Sequence, residues 1–135
     1  MKIVLAADGS KFSGKALTWL LKQEWVHGYG VEILIVNVRA RATSRPLDAE
    51  DKAAQQVTKP VFNSLERQLK RYRISHRSVS LVGDPAAEIV KLAKKEGARM
   101  IVMGTRGQTA IKSIFMGSVA QGVVTKSPIP VLLVK

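Results

Sequence analysis

Cysteine does not occur among the 135 residues. Its absence removes disulfide frameworks, thiolate zinc sites and cysteine nucleophiles together, and it fits a reducing compartment. Long apolar runs are missing too: no stretch approaches the roughly 18 consecutive apolar residues that suggest a membrane span. The opening MKIVLAADGS holds a short apolar run, but an acid follows within a few residues, and a long apolar region and a small-residue cleavage site are both lacking. It reads as a strand rather than a signal peptide, and a cytoplasmic protein with no membrane partner is expected. Acids are scarce, with 10 Asp and Glu against 22 Lys and Arg, a net charge of +12. Such an excess raises the local concentration of anions whatever the fold. Phosphate-bearing partners are favoured, and charge alone does not choose among nucleotide, nucleic acid and anionic membrane.

Several catalytic signatures are absent as well. A dinucleotide-binding enzyme would carry G-x-G-x-x-G after its first strand, where this chain reads ADGSKFSG, and the P-loop pattern G-x-x-x-x-G-K-[ST] does not occur. His27 and His76 have no neighbours at metal-ligand spacing, so no metal site is assigned. His27 falls near a helix end, where it suits the carbonyl pole of the dipole. No Ser, His and acid grouping can be assembled, so no catalytic residue is assigned.

What is present is an alternation of apolar runs and amphipathic segments across a chain long enough for one domain, residues 1–135, with 46% apolar content. That alternation predicts an α/β sheet with helices on its faces. KIVLAA and VEILIVNV are almost unbroken Val, Ile and Leu, as strands buried on both faces require; HRSVSLV, RMIVMG and PVLLV complete five strands. Between the first two, Phe12, Ala16, Leu17, Leu20, Leu21 and Trp25 share one side of a helix closed by Gly28 and Gly30. Trp19 and Trp25 are read as packing residues. Asp48 to Tyr72 forms a longer helix, with Val57, Val61, Leu65 and Leu69 on one face and Pro60 as a kink. Asp84 and Pro85 start a third helix that ends at Gly97, because Asp caps free N–H groups and Pro has none to lose. Ser118 and Gln121 have capping-box spacing, which starts a fourth helix after Gly117, weakened slightly by Gly122. RARATSRPL is aperiodic and reads as a loop.

The stretch MGTRGQTAIKSIFMGS, residues 103–118, places three glycines and two cations directly after a strand. Gly104 and Gly107 flank the strand exit, where a missing Cβ lets backbone N–H groups approach an anion. Gly117 and Ser118 stand at a helix N-terminus, whose unpaired N–H groups and dipole also favour phosphate. A plain turn and an ordinary cap would leave the same glycine pattern. Ile111, Ile114, Phe115 and Met116 are expected to anchor the spacer by packing.

The pattern G-x2-G-x9-G-S, preceded by RMIVM and followed by VAQGVV and IPVLLVK, resembles the ATP-binding branch of the universal stress protein family. KIVLAADGSKFSGKAL, ILIVNV and GDPAAEIVKLAKKEGARMIVMGTRG extend the likeness over nearly the whole chain. The resemblance implies a single-domain, Rossmann-like, doubly wound parallel sheet of five strands in the order 3-2-1-4-5, with helices on both faces and a ligand crevice between the first and fourth strands. It also implies roles. Asp8 is the acid at the nucleotide, able to meet a ribose hydroxyl or Mg²⁺, and Val38 supplies the backbone that reads adenine. Met103, Gly104, Arg106 and Gly107 contact ribose and phosphate, and Gly117, Ser118 and Val119 bind the phosphates. ATP is the implied ligand, with ADP, AMP and accompanying Mg²⁺ left open. The implied function is a stress-response sensor or regulator with at most slow ATP hydrolysis, not an enzyme, paired as a homodimer through its last strand.

Three positions depart from common patterns of that family. Asn37 stands where histidine is frequent, Arg99 where aspartate often precedes the fourth strand, and no acid follows Val38. Arg39, Arg41 and Arg45 make the following loop basic, either as phosphate ligands or as solvated charges. Two alternatives remain: a nucleotide-free dimeric interaction module of the same fold, and a basic nucleic-acid binder using ERQLKRYRISHR. Nucleic acid is disfavoured, because only Tyr72 is interleaved with the cations Arg67, Lys70, Arg71, Arg73 and Arg77.

Overall fold

Near-continuous Val, Ile and Leu in the first strands leave no polar face to turn toward water, so the sheet they form has to be covered on both sides. A computed structural model, describing residues 1–41, 46–56, 60–107 and 116–135, shows how. The strands are β1 (Lys2–Ala6), β2 (Glu32–Ala40), β3 (Ser75–Gly83), β4 (Met100–Gly104) and β5 (Val131–Val134); the helices are α1 (Lys11–Leu21), α2 (Ala49–Gln56), α3 (Pro60–Arg71), α4 (Pro85–Glu96) and α5 (Ser118–Lys126). All strand pairs are parallel, in the order β3-β2-β1-β4-β5, as the resemblance implies.

Strand alternation divides the interior into two cores. Ile3, Leu5, Ile33 and Ile35 point to one face, where Leu17 and Leu20 of α1 and Leu65 and Leu69 of α3 cover them. Val4, Ala6, Leu34 and Val36 point to the other, against Ile89 and Ala93 of α4 and Ala120 and Val123 of α5. Each fully buried Leu or Ile contributes about 2 kcal/mol of transfer free energy.

Four local expectations change. The first helix stops at Leu21: Gln23 turns extended, its amide donates to the Trp19 carbonyl at 2.9 Å, and a separate 3₁₀ turn, Glu24–His27, follows. That break rotates Val26 into the core and leaves Trp25 exposed, so Trp25 is not a packing residue. The long helix is two helices rather than one kinked at Pro60. Pro60 is the first residue of α3, where its missing N–H costs nothing, and Val57 lies outside the described residues. The capping box is not made: Gly117 is the N-cap of α5, no side chain caps it, and the Gln121 amide donates to the Met116 carbonyl instead. Gly122 has a packing reason, since a Cβ there would lie 2.7 Å from the Ala86 Cβ on α4. The start and end of α4 are as read: Asp84 accepts from the Ala87 N–H, and Gly97 closes the helix at φ 66°.

Candidate functional site

The chain leaves β1 for α1 on one face of the sheet and leaves β4 for α5 on the other, so a crevice opens between the carboxyl ends of these neighbouring strands. A cavity of about 420 Å³ occupies it. Asp8, Val38, Met103, Gly104, Arg106, Gly107, Gly117, Ser118 and Val119 all line this cavity, brought together from separate parts of the chain.

Asp8 is held by the turn it starts. Gly9 takes φ 84°, a left-handed conformation natural to glycine, and this directs the Ser10 N–H onto Asp8 Oδ1 at 2.9 Å. The Ser13 hydroxyl donates to the same oxygen at 2.9 Å and accepts the Asp8 N–H at 3.0 Å. Ser13 is buried and also lines the cavity. Sequence reading passed over it, because its role depends on how tightly the ADGS turn folds back.

The glycines have distinct roles. A Cβ on Gly107 would lie 2.4 Å from Asp8 Oδ2, so its bare backbone is what lets the strand exit lie against the carboxylate. A Cβ on Gly104 would meet the Phe12 Cβ at 2.6 Å and the Phe12 carbonyl oxygen at 3.0 Å. The packing of α1 against β4 therefore accounts for that glycine. At Gly117 the nearest atoms to a Cβ are 3.5 Å away, an ordinary contact.

Thr105, another residue that motif reading missed, ties the site together. It is buried; its N–H donates to the Val134 carbonyl at 3.0 Å, and its carbonyl accepts the Gly117 N–H at 2.6 Å. The start of α5 is thereby fixed to the exit of β4, with the first N–H groups of the helix capped by no side chain and the Ser118 hydroxyl exposed beside them. Of the expected anchors, Met116 packs against the α4–α5 core, while Ile111, Ile114 and Phe115 lie outside the described residues.

On the opposite wall β1 ends at Ala6, whereas β2 continues to Ala40 paired only with β3. The Val36 carbonyl accepts the Ala7 N–H at 2.8 Å, so by strand alternation the Val38 backbone faces the side that β1 no longer occupies. Asn37 donates its amide to the Ala7 carbonyl at 2.8 Å and lines the cavity beside Val38. Around Phe12, which packs against Gly104 of the cavity wall, Lys11 Nζ, Lys15 Nζ and the Arg106 guanidinium stand 5.4, 5.6 and 5.9 Å from the centre of the ring, concentrating positive charge on that side. At the start of α4, the Ala87 N–H and then Lys126, 3.5 Å away, hold the Asp84 carboxyl below its usual range.

The two described arginines of the basic loop do not line the cavity; Arg39 is exposed, as a solvated charge would be, whereas Arg41 is not. Arg41 is largely buried, pairs with buried Asp51 at 3.5 Å and donates to the Pro46 carbonyl; Arg39 lies 3.9 Å from the same carboxylate. Arg45 is outside the described residues. His27 Nε2 lies 2.8 Å from the Leu21 carbonyl at the end of α1, as its position suggests. Among the described residues no group of three potential metal ligands occurs, and no helix is long and apolar enough to cross a membrane.

Comparison with known proteins gives a consistent result. The sequence profile of the universal stress protein family matches residues 1–135. A universal stress protein of Thermus aquaticus, from the QAH/OAS sulfhydrylase 3′ region, is 32% identical over 146 residues, covering 98% of this chain and 97% of that protein. Universal stress protein MJ0577 of Methanocaldococcus jannaschii is 37% identical over 89 residues, an alignment spanning 64% of this chain and 55% of the relative. Its solved structure has a TM-score of 0.76 at 29% identity, covering 99% of this chain and 94% of that one. At 16% identity and a TM-score of 0.70, a family protein of Arabidopsis thaliana, At3g01520, solved with AMP bound, shares the fold over 100% of this chain and 90% of its own. With its whole length matched by the family profile and its strand order and crevice those of the resemblance, the chain belongs to the universal stress protein family.

Proposed function

We propose that this chain binds an adenine nucleotide, ATP foremost, and acts as a cytoplasmic stress-response sensor or regulator rather than a catalyst, with at most slow hydrolysis. One observation carries the reading: nine residues from separate segments meet in one cavity of about 420 Å³, a size suited to a small ligand. The donor set fits the ligand. The open Val38 backbone can pair with the adenine edge, Asp8 can accept from a ribose hydroxyl, and the N–H groups of Ser118 and Val119 with the Ser118 hydroxyl can hold phosphate oxygens. If Mg²⁺ accompanies the phosphates, Asp8 is the carboxylate in reach, and one carboxylate plus phosphates is a common way to hold that ion. The AMP complex of the Arabidopsis thaliana family protein supports the ligand class.

Self-pairing belongs to the same reading. β5 is an edge strand whose four residues are all partly exposed, and an apolar edge with unpaired N–H and C=O groups invites a second strand. A homodimer joined along β5 is the expected state.

The deciding experiment is chromatography and mass spectrometry of nucleotide released from the purified protein, followed by calorimetric titration with ATP and Mg²⁺. Adenine nucleotide in the released fraction, or saturable heat in the titration, is the expected result. No bound nucleotide and no heat at millimolar ATP would leave the nucleotide-free dimeric module as the better account.

A further inference from the structure

At the opposite end of the sheet lies a second cavity, of about 410 Å³, walled by the segments that lead into β2 and β3. Val31, just before β2 and lining this cavity, and Val38, toward the far end of β2 and lining the first one, are about 23 Å apart at 3.3 Å per residue, so the two cavities are well separated. Its walls are rings and cations: His27, Tyr29, Tyr72 and Arg73 all line it. The His27 and Tyr72 rings rest on each other, with centroids 5.7 Å apart and planes tilted by 54°. Tyr29 is fully exposed, Tyr72 is 51% exposed, and Trp25, on the same 3₁₀ turn as His27, is 40% exposed. Among the described Phe, Trp and Tyr residues, these three are the exposed ones, and all belong to the segments at this end.

The backbone of the α3 exit is equally specific. The Ile74 N–H bonds the Leu69 carbonyl and the Arg73 N–H bonds the Lys70 carbonyl, a Schellman closure whose left-handed position usually belongs to glycine. Here it is Arg73, at φ 57°. The chain thus keeps a cation where a glycine would fit with less strain. Lys70 and Arg71 are exposed beside it, and no ion pair engages Lys70, Arg71 or Arg73 among the described residues. Across residues 22–31 and 67–75, five cations face one acid, Glu24.

We propose that this end of the molecule is a stacking platform for single-stranded nucleic acid. Bases stack on Tyr29 and on the Tyr72–His27 pair, and Lys70, Arg71 and Arg73 hold the phosphates. The sequence interleaves one aromatic ring with this basic run; the fold brings the others to it from the turn after α1. Exposed rings beside unpaired cations match what single strands offer, sequence-tolerant base faces on a charged backbone, whereas a duplex hides its base faces in the stack.

The test is fluorescence anisotropy of the full chain with a labelled oligouridine of about 12 nucleotides, in saturating ATP so that the other crevice is filled. Binding is expected to persist in ATP and to weaken about 20-fold between about 50 and 200 mM salt if three phosphates are neutralised. Tyr29→Ala, a change at a fully exposed side chain, is expected to weaken it at least fivefold. Arg73→Gly is expected to weaken it while leaving the melting temperature equal or higher, which separates a lost contact from a lost fold. The proposal is overturned by displacement of the oligonucleotide by ATP, by equal affinity for the matching duplex, or by unchanged affinity in both variants. Binding to anionic vesicles but not to the oligonucleotide would overturn it as well.

Discussion

Gly107 lies so close against Asp8 that a Cβ on the glycine would stand 2.4 Å from Asp8 Oδ2, while Oδ1 is fixed by the Ser10 N–H and the Ser13 hydroxyl. Gly107→Ala must therefore push the carboxylate off its donors or move the strand exit. An ATP affinity loss of about tenfold or more is expected, equivalent to one charge-assisted hydrogen bond, measured by calorimetric titration. Unchanged affinity would remove Asp8 from the site.

Gly117 offers the contrasting case. Its φ of −70° and ψ of 161° suit any residue, and a Cβ there makes only ordinary contacts. Gly117→Val is expected to keep a near-native far-UV spectrum while obstructing phosphate approach, lowering ATP affinity by about tenfold or more. Native affinity in that variant would argue against phosphate at the start of α5.

Gly104→Ala should act on the fold first. The added methyl meets Phe12 at 2.6 Å, and overpacking of this kind costs about 1–3 kcal/mol. Denaturant titration of the free protein should register that loss without any nucleotide present.

Arg41→Ala should destabilise by about 2–4 kcal/mol, because it strips a partner from the buried Asp51 carboxylate. Urea unfolding measures this; a change below about 0.5 kcal/mol, the range of ordinary surface substitutions, would mean that the pair does not anchor α2.

Glu96 ties β1 to β3, bonding Lys2 Nζ at 2.9 Å and Arg77 at 2.8 Å. Those two hydrogen bonds, Lys2 first, hold its carboxyl below the usual glutamate range. A carboxyl depressed on folding contributes stability above its unfolded value and loses it as pH falls through the folded one. Stability should thus decline through the acid side of the glutamate range, and Glu96→Gln should flatten that part of the profile. The effect should stay below about 1 kcal/mol at neutral pH, since Lys2 and Arg77 are 39% and 47% exposed.

Much of this was legible in the sequence, for identifiable reasons. Ile3 to Ala6 and Ile33 to Val36 have to be covered on both faces, and Asp84–Pro85 and Gly97 carry local chemistry that bounds α4 unaided. What escaped depends on contacts between distant segments. No periodicity announces that Gln23 will take the Trp19 carbonyl and turn Val26 inward in place of Trp25. Nothing in the spacing of Gly104 names Phe12 as its neighbour, and Arg41 looks as solvated as Arg39 until Asp51 is brought against it. Ser118 and Gln121 have the right interval for a capping box, yet the N-cap is Gly117, whose N–H is already committed to Thr105.

That commitment has a thermodynamic consequence. Thr105 joins the last rung of β5, through Val134, to the N-cap of the crevice helix α5, Gly117. A ligand that shifts Gly117 pulls on the end of the strand through which a second chain would join. If nucleotide occupancy shifts Gly117 and β5 pairs with a second chain, occupancy and self-association share a coupling free energy, and the reciprocity of linkage requires each to alter the other by the same factor. Nucleotide affinity is expected to vary with protein concentration across the association range; a flat dependence would show the two ends of Thr105 to be mechanically independent.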